Sequence, residues 1–345
     1  MFYFNLCKTA KHWDSFLTHC KCPQGKNIVG SKWVFCIKHK SDGSIDKYKA
    51  CLVACGFTQI YRVDYFDMYS PVAKMASFCT ILAIAACHDW DIESFDFNGT
   101  YLNGTLNDDK EIYMQEPPEY ETQGEHSVKC PHKSLYGLKQ AGRKWYKALS
   151  HALSDLRFCT STADPCVFIA KANNNTLILA IHIDDCILTG SSPELIAEYK
   201  GKFNDRYALT DLGPVHWFLG IKITHDHSAH TISLSQSSYI NSILNRFGLS
   251  NAKPYSTPMA PEVLYSQNDC PQDATEAAHM QKTPNCKAIG SLMYTSVATR
   301  PDITHAVSSL SHFLDNPGSI HWEAIKQVFR YLAGTRDFAL TYGRE

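Results

Sequence analysis

Two adjacent acidic residues interrupt a long run of apolar and β-branched residues between Thr176 and Gly190. The run predicts buried strand structure, where ionised carboxylates are almost never placed without a partner. Because successive side chains of a strand point to opposite faces, one apolar layer cannot hide both Asp184 and Asp185. We therefore expect the pair at the tip of a hairpin, turned toward a cation, although Asp also closes ordinary turns.

A helix followed by a strand is predicted upstream of this pair. Ser70 can cap the helix and Pro71 fits its first position. Apolar residues then recur at helical spacing: Val72, Met75, Ala76, Cys79, Leu82 and Ala86. The stretch 90–104 alternates loosely, ends in turn residues and carries Asp96. Asp96 is therefore a third carboxylate in a strand context.

The elements downstream of Asp96 follow a recognisable order. We expect a helix near 138–156, a hairpin of 166–171 and 176–189 around a turn at 172–175, a helix from Ser192 to about Tyr207, and a strand near 217–224. Strand, helix, two strands, helix, strand is the split βαβ, ferredoxin-like order, in which the first strand neighbours the central hairpin. Asp96 should therefore meet Asp184 and Asp185 on one surface.

These three carboxylates are the predicted catalytic and metal-ligating residues. Together they would repel each other, and their pKa values would rise without a cation. Hard carboxylate oxygens suit Mg²⁺, whereas a Cys/His cage would suit zinc. Two Mg²⁺ ions would relieve the repulsion and clamp the attacking and leaving oxygens of an in-line phosphoryl transfer. Mn²⁺ is the alternative ion.

Two outer regions complete the expected organisation. Residues 32–40 and 46–54 predict a hairpin around the turn 41–44, because Asp-Gly is a strong hairpin signal. Helical patterns near 287–297, 302–314 and 322–333 follow a stretch at 253–285 that is rich in Pro and polar residues.

No 18-residue apolar run or secretory pattern occurs. We therefore expect an intracellular protein, cytoplasmic or nuclear, that is not secreted and has no membrane partner.

Many short motifs in a fixed order carry a family resemblance. They are GSKWVF at 30–35, DGS at 42–44, YKA at 48–50, GFTQ at 56–59, SPVAK at 70–74, YLNG at 101–104, EIYM at 111–114, SLYGLKQ at 134–140, DD at 184–185, FLGI at 218–221 and TRPD at 299–302. From about Trp13 to its end, the chain resembles the reverse transcriptases of Ty1/copia-type LTR retrotransposons, which are parts of Pol polyproteins.

The resemblance implies a fold, a division of the chain and a set of partners. The fold is an α+β polymerase right hand with a ferredoxin-like palm, a fingers hairpin and a helical thumb and connection. Residues 13–260 would hold fingers, palm and the start of the thumb, 261–285 a linker, and 286–345 a helical connection segment before an absent RNase H domain. The partners would be an RNA template, a DNA primer and template, dNTPs and other retrotransposon polyprotein products.

The resemblance also implies roles for residues around the carboxylates. Tyr101 would crowd the ribose 2′-position of the incoming nucleotide, although alone it reads as a half-buried strand aromatic. Lys49 and Gln140 would contact the nucleotide; alone, both read as solvated side chains. The primer and template would be contacted by three further residues, His182, Trp217 and Gly220. His182 stands where such enzymes most often have tyrosine, and Gly220 would allow close backbone approach.

The charge balance departs from what nucleic-acid enzymes usually show. The net charge is −1, and 24 Lys stand against only 9 Arg, whereas phosphate contacts usually give a basic excess. Cys and His occupy positions where family members commonly have a basic residue: Cys51, Cys55, Cys79, His225, His227 and His230. Single transitions convert CG-type arginine codons into Cys or His codons. We therefore hypothesise that this copy is mutationally eroded.

Several alternatives stay open at this point. The chain is either an active RNA- and DNA-directed DNA polymerase or a weak or inactive remnant that still binds nucleic acid. A nucleotide cyclase is a more distant two-metal alternative, disfavoured by the fingers-like hairpin and the long C-terminal extension. The Cys and His spacings do not match paired zinc motifs, so a zinc site is not expected. Disulfides are not expected either, because reducing compartments keep thiols free.

Overall fold

The computed structural model describes residues 17–21, 23–39, 44–106, 111–116, 127–172, 174–261 and 263–343. The predicted start at Trp13, Lys40, turn residues 41–43 and Asn173 lie outside the described residues. The strands are β1 Leu17–Lys21, β2 Ile28–Val29, β3 Ser31–His39, β4 Ile45–Ala54, β5 Ile92–Phe97, β6 Tyr113–Gln115, β7 Ser127–Pro131, β8 Cys159–Thr160, β9 Val167–Ala172, β10 Asn175–His182, β11 Asp185–Gly190, β12 Leu209–Pro214, β13 Trp217–Phe218, β14 Ile221–Asp226, β15 Thr231–Ser235 and β16 Leu340–Gly343. The helices are α1 Met75–His88, α2 Ala141–Asp155, α3 Pro193–Arg206, α4 Ser237–Arg246, α5 Ala274–Lys282, α6 Asn285–Ala298, α7 Thr304–Ser311 and α8 Ser319–Gly334.

The chain divides into two compact units. Unit 1 comprises residues 1–73 and 94–212, and unit 2 comprises residues 74–93 and 213–345. The mixture of helices and antiparallel sheets confirms the α+β polymerase fold class. Helix α5 lies inside 261–285, the segment predicted as a linker; the division into polymerase, linker and connection stays a prediction.

The central sheet of unit 1 has the strand order β12-β5-β11-β10-β9-β8. Its first four strands, with α2 and α3 as the crossovers, reproduce the ferredoxin-like order that the sequence predicts. Two strand assignments were wrong. The central hairpin is β10 with β11, not 166–171 with 176–189, because the turn at Ile183 and Asp184 divides the second stretch and leaves β9 as an additional strand. The closing strand is β12, not 217–224. Residues Leu219 and Gly220 both have positive φ, at 49° and 76°, and this turn breaks 217–224 into a separate hairpin of β13 and β14.

The core of unit 1 follows from the apolar spacing of α2. Ala141, Trp145, Leu149 and Leu153 recur every three or four residues and are buried. They pack with the inward side chains of β5, β10 and β11 in one cluster, which includes Phe95, Phe97, Leu179 and Leu188. Ser192 caps α3 by accepting a hydrogen bond from the Leu195 amide, as predicted. These two helices therefore hold the strands that carry the acidic residues.

Unit 1 also contains the predicted fingers hairpin and a second sheet. Strands β3 and β4 pair in the expected place. The second sheet has the order β1-β7-β6-β2. Within it, Cys20 and Cys130 form a disulfide with a Cα–Cα distance of 6.2 Å. The expectation that the thiols are free was therefore wrong for these two cysteines. The pairing of β1 with β7 sets Cys20 opposite Val128 and Thr18 opposite Cys130. Two distant cysteines are thereby brought together diagonally.

Unit 2 combines a small sheet with a helical core. Strands β13-β14-β15-β16 form the sheet, and α4, α6, α7 and α8 bury one apolar cluster. Helix α1 begins at Met75, without a side-chain cap, so the predicted start at Ser70-Pro71 was wrong. Residue Lys74 is extended, and the Ser70 side chain lies instead beside Gly142 in unit 1.

No helix in the described part of the chain is both long and apolar enough to cross a membrane.

Candidate active site

The acidic pair lies at a tight hairpin turn in unit 1. Strands β10 and β11 pair up to His182 and Asp185, which leaves Ile183 and Asp184 as the two turn residues. Ile183 has φ +66°, a conformation that is costly for a β-branched residue. The indole Nε1 of Trp145 donates a hydrogen bond of 2.9 Å to the Ile183 carbonyl oxygen. Strain of this kind persists where the surrounding structure fixes it, and Trp145 supplies part of that restraint.

Asp96 joins the pair across neighbouring strands. Strand β5 lies beside β11 in the sheet, and the Phe97 amide donates to the Asp184 carbonyl oxygen at 3.4 Å. The thiol of Cys186 reports where the three charges meet: burial raises its pKa, and so do the charges of Asp185, Asp96 and Asp184. Asp96, Asp184 and Asp185 therefore lie near one buried thiol, at the end of the sheet where β5 and β11 are neighbours.

At this end of the sheet, burial and neighbouring negative charge oppose ionisation of the Asp185 carboxyl group, and a bound cation would relieve this. Partial burial raises the pKa of Asp185, the charge of Asp184 raises it further, and His182 lowers it. The donors offered are carboxylate oxygens, without a thiolate, since burial keeps Cys186 protonated. This set fits a hard ion such as Mg²⁺.

Two tyrosines stand next to the carboxylates. Tyr101 lies in a 3₁₀ turn, Thr100–Asn103, rather than on a strand. Its ring meets that of Tyr136 edge-on, with centroids 4.8 Å apart. Burial raises the pKa of both tyrosines and the charge of Asp184 adds to the shift, which brings the pKa of Tyr136 to about 12. Sequence reasoning missed Tyr136, although its position in the SLYGLKQ motif was a signal.

One family of known proteins matches most of the chain. The family described as reverse transcriptase (RNA-dependent DNA polymerase) matches residues 15–261. The chain belongs to this family. The Pol polyprotein of tobacco transposon TNT 1-94 is 42% identical over 93% of the chain. That of Arabidopsis thaliana transposon RE1 is 37% identical over 91%.

A shorter relative matches the chain over most of its own length. A Ty5-1 transposon protein of Saccharomyces cerevisiae is 30% identical over 72% of the chain and 78% of its own length. These relatives confirm the resemblance to Ty1/copia-type elements. The chain spans 24% and 21% of the lengths of the tobacco and Arabidopsis polyproteins.

The fingers hairpin of this reverse transcriptase presents Lys49 and Cys51 on one face. Side chains alternate along a strand, so residues two apart in β4 point the same way. Lys49 is exposed. Cys51 is half-buried and is among the groups whose charge would raise the pKa of Tyr136, which places it near that tyrosine. Cys55 is different, because it is buried against Gly30.

Gln140 is buried and bonded inside the protein. Its amide oxygen accepts from Gln59 Nε2 at 3.0 Å, and its amide nitrogen donates to the Asp64 carbonyl oxygen at 3.2 Å. The interpretation of Gln140 as a solvated side chain was therefore wrong. The burial could not be predicted locally, because the partners Gln59 and Asp64 lie about 80 residues away in sequence. A nucleotide contact by Gln140 stays a prediction.

Gly56 and Gly137 allow the GFTQ and SLYGLKQ motifs to pack closely, and this contact is here called the junction. A Cβ on Gly137, whose φ is +92°, would lie 2.0 Å from the Ala54 carbonyl oxygen, and one on Gly56 would lie 2.1 Å from the Gly137 carbonyl oxygen. The Ala54 amide also donates to the Tyr136 carbonyl oxygen at 2.8 Å. The GFTQ and SLYGLKQ motifs thus lock the base of the fingers hairpin to the start of α2, and they fix Tyr136 in place.

The predicted primer and template residues fall in both units. His182 is half-buried at the end of β10 in unit 1, and its Nδ1 atom is buried without a hydrogen bond. Trp217 is 52% exposed in unit 2. Gly220 takes a left-handed conformation in the β13–β14 turn, whose Leu219 carbonyl accepts a hydrogen bond from the Tyr294 hydroxyl. Their contacts with nucleic acid stay predictions.

Proposed function

We propose that this chain is an RNA- and DNA-directed DNA polymerase that uses two divalent cations. The observation that carries the proposal is that Asp96, Asp184 and Asp185 lie near one buried thiol, with Asp184 in a strained, hydrogen-bonded hairpin turn. Partial burial raises the pKa of Asp185 and the charge of Asp184 raises it further, so both oppose ionisation of this carboxyl group. Family membership supports nucleotidyl transfer as the chemistry that uses this charge.

Asp96, Asp184 and Asp185 would hold the ions, Mg²⁺ or alternatively Mn²⁺. When bound, the ions activate the primer 3′-hydroxyl as a nucleophile and stabilise the charge on the leaving pyrophosphate. The protein's own contribution is position. The hairpin turn fixes Asp184, Trp145 holds the turn through the Ile183 carbonyl, and β5 brings Asp96 alongside.

The neighbouring side chains would select and hold the nucleotide. The ring of Tyr101, held edge-on by Tyr136, would exclude a ribose 2′-hydroxyl by shape. Lys49, on the face of the fingers hairpin that it shares with Cys51, would pair with triphosphate oxygens. Gln140 would help to position the nucleotide, directly or through Gln59. The partners are then an RNA or DNA template, a DNA primer, dNTPs and, in the cell, other retrotransposon polyprotein products.

Primer extension tests the proposal. The full chain is given a primed RNA or DNA template, dNTPs and Mg²⁺, beside an Asp185→Asn variant of nearly the same shape. We expect extension on both templates, and at least about a thousandfold slower extension by the variant, because an electrostatic group at the reacting centre is worth several kcal/mol. Equal rates would show that the polymerase proposal is wrong for this site.

The second candidate function is a weakened remnant, which the cysteine at position 51 favours. On this hypothesis, the Cys51 thiol lies near Tyr136 in place of a cation that would contact the triphosphate. A charge-assisted contact to phosphate is worth roughly 1.5–3 kcal/mol, so its loss would weaken dNTP binding by about 10- to 150-fold. The remnant reading therefore predicts slow extension with a high KM for dNTPs.

Restoring the charge distinguishes the two candidates. On the remnant reading, Cys51→Arg should lower the KM for dNTPs by about tenfold or more. Cys159→Arg is the matched control. Cys159 is exposed on β8, so an arginine there adds the same charge to unit 1 but outside the fingers hairpin. An equal gain in both variants would indicate general attraction of nucleic acid and would remove the case for position 51.

A further inference from the structure

A second group of ligand-type side chains lies in unit 2, outside the polymerase site. Asp89 ends α1 in a left-handed conformation, with φ +54°, and its amide donates back to the Ala85 and Ala86 carbonyls. His225 lies near the end of β14, and His227 follows in the turn to β15. The Asp226 carboxylate holds that turn by accepting from the Ser228 and Ala229 amides. Both backbone segments are therefore fixed.

The ligand atoms of this group lie close together. Nδ1 of His227 is 2.7 Å and Nε2 of His225 is 3.4 Å from the same Asp89 carboxylate oxygen, Oδ1. One ligand atom from each of the three residues lies within 4.8 Å of the others. Ligands at about 2.0–2.1 Å from a tetrahedral zinc ion are about 3.3 Å apart. The cluster is therefore near the size that a metal ion requires.

His225 supplies an independent indication of a ligand. Its Nε2 atom is buried and makes no hydrogen bond in the described structure, and the Asp89 carboxylate lies 3.4 Å from it. Burying a polar nitrogen without a partner is costly. A metal ion between Nε2 and the carboxylate would satisfy that nitrogen.

We propose that Asp89, His225 and His227 form a binding site for a borderline transition metal ion, with Zn²⁺ as the physiological candidate. Two imidazoles and one carboxylate are a donor set that Zn²⁺, Co²⁺, Ni²⁺ and Cu²⁺ accept, whereas Mg²⁺ prefers oxygen alone. The Nδ1 atom of His230 lies 3.5 Å from the other carboxylate oxygen of Asp89. The site was not expected from the sequence, because the Cys and His spacings do not match paired zinc motifs and Asp89 is far from the histidines along the chain.

Cobalt titration of the full chain tests the site. Co²⁺ bound by imidazole and carboxylate in a tetrahedral site gives visible d–d absorption, whereas cysteine ligands add thiolate charge-transfer bands in the near ultraviolet. We expect one equivalent of visible absorption without those bands, competed away by Zn²⁺. His225→Gln and Asp89→Asn should each bind at least about tenfold more weakly. His305→Gln, an exposed histidine of α7, should bind like the parent chain.

The outcomes separate the site from its rivals. Thiolate bands, or equal binding by all variants, would place the metal on cysteines or other surface histidines and overturn the proposal. Loss of binding together with altered circular dichroism would leave folding as the cause, so a second measurement is made on the parent chain. Zn²⁺ should there raise the melting temperature in a concentration-dependent way, and no rise at saturating Zn²⁺ contradicts the proposal.

Discussion

Asp185 in unit 1 and Asp89 in unit 2 meet opposite surroundings. Partial burial and the charge of Asp184 raise the pKa of Asp185. A hydrogen bond from His227 lowers the pKa of Asp89, and the charges of His227, His230 and His225 lower it further. One carboxylate thus lies beside a like charge, and the other lies among groups of the opposite kind.

The difference shows what each cluster requires. Like charges held together store unfavourable energy, which rigid surroundings must maintain until a cation arrives. The turn at Ile183 and the glycine junction beside Tyr136 provide that rigidity in unit 1. Asp89 also has a positive φ, +54°, but Asp adopts this conformation more readily than a β-branched residue such as Ile183. Asp89 finds its partners within unit 2, so its cluster holds less unfavourable energy than the turn at Ile183. We therefore expect mutations of the scaffold to act on the polymerase site far more than on the Asp89 cluster.

The largest effect should come from Gly137→Ala. The new Cβ would lie 2.0 Å from the Ala54 carbonyl oxygen at a φ of +92°, so the junction must open. We expect unit 1 to lose about 3 kcal/mol of stability, and extension to fall with it. Hydrogen exchange resolved by segment measures whether protection is lost around β4 and α2 rather than around Asp89.

Gly201→Ala is the matched control for Gly137. Gly201 lies in α3 with open space around its Cβ position, so alanine should stabilise that helix by up to about 1 kcal/mol. If both variants shifted stability in the same direction, or if Gly137→Ala exposed both units equally, rigidity at the junction would not distinguish the two clusters.

A smaller effect is expected from Trp145→Phe. Phenylalanine keeps the aromatic packing against Phe97 but removes the hydrogen bond to the Ile183 carbonyl. The loss should cost about 1 kcal/mol in denaturant unfolding and slow extension by roughly tenfold, because the turn that carries Asp184 loosens. Tyr146→Phe is the control. Tyr146 lies on the same helix as Trp145, and the substitution removes the hydrogen bond from its hydroxyl to the Pro165 carbonyl oxygen. It should cost similar stability with little effect on extension, and an equal loss of rate would contradict the role of the turn.

Features that depend on neighbouring residues could be predicted from the sequence, whereas features that depend on distant partners could not. Asp184 and Asp185 were placed correctly because two carboxylates in an apolar run have few other solutions, and α2 and α3 because their spacing and cap are local. The start of α1, the break at Leu219 and the burial of Gln140 depend on partners distant in sequence. The same holds for the Cys20–Cys130 disulfide, which needs the pairing of β1 with β7.

Unit 2 offers a test through pH. His321 is buried, and its Nδ1 accepts a hydrogen bond of 2.9 Å from the Gly318 amide at the start of α8. Burial lowers its pKa from the ordinary 6.5, although Asp269 opposes the shift. A histidine with a lowered pKa contributes stability that is complete above its unfolded pKa and is lost as pH falls through the folded value. Unit 2 should therefore weaken below about pH 6.5.

His321→Gln should flatten this acid dependence, because glutamine can keep the backward hydrogen bond of a capping box without taking up a proton. Melting temperatures of both proteins between neutral and mildly acidic pH measure the difference in slope. Burial also lowers the pKa of His225, helped by His227 and opposed by Asp89 and Asp91, so some acid dependence should remain in His321→Gln. Parallel curves for the two proteins would show that His321 is not the acid-sensitive group and would assign the whole dependence to other groups.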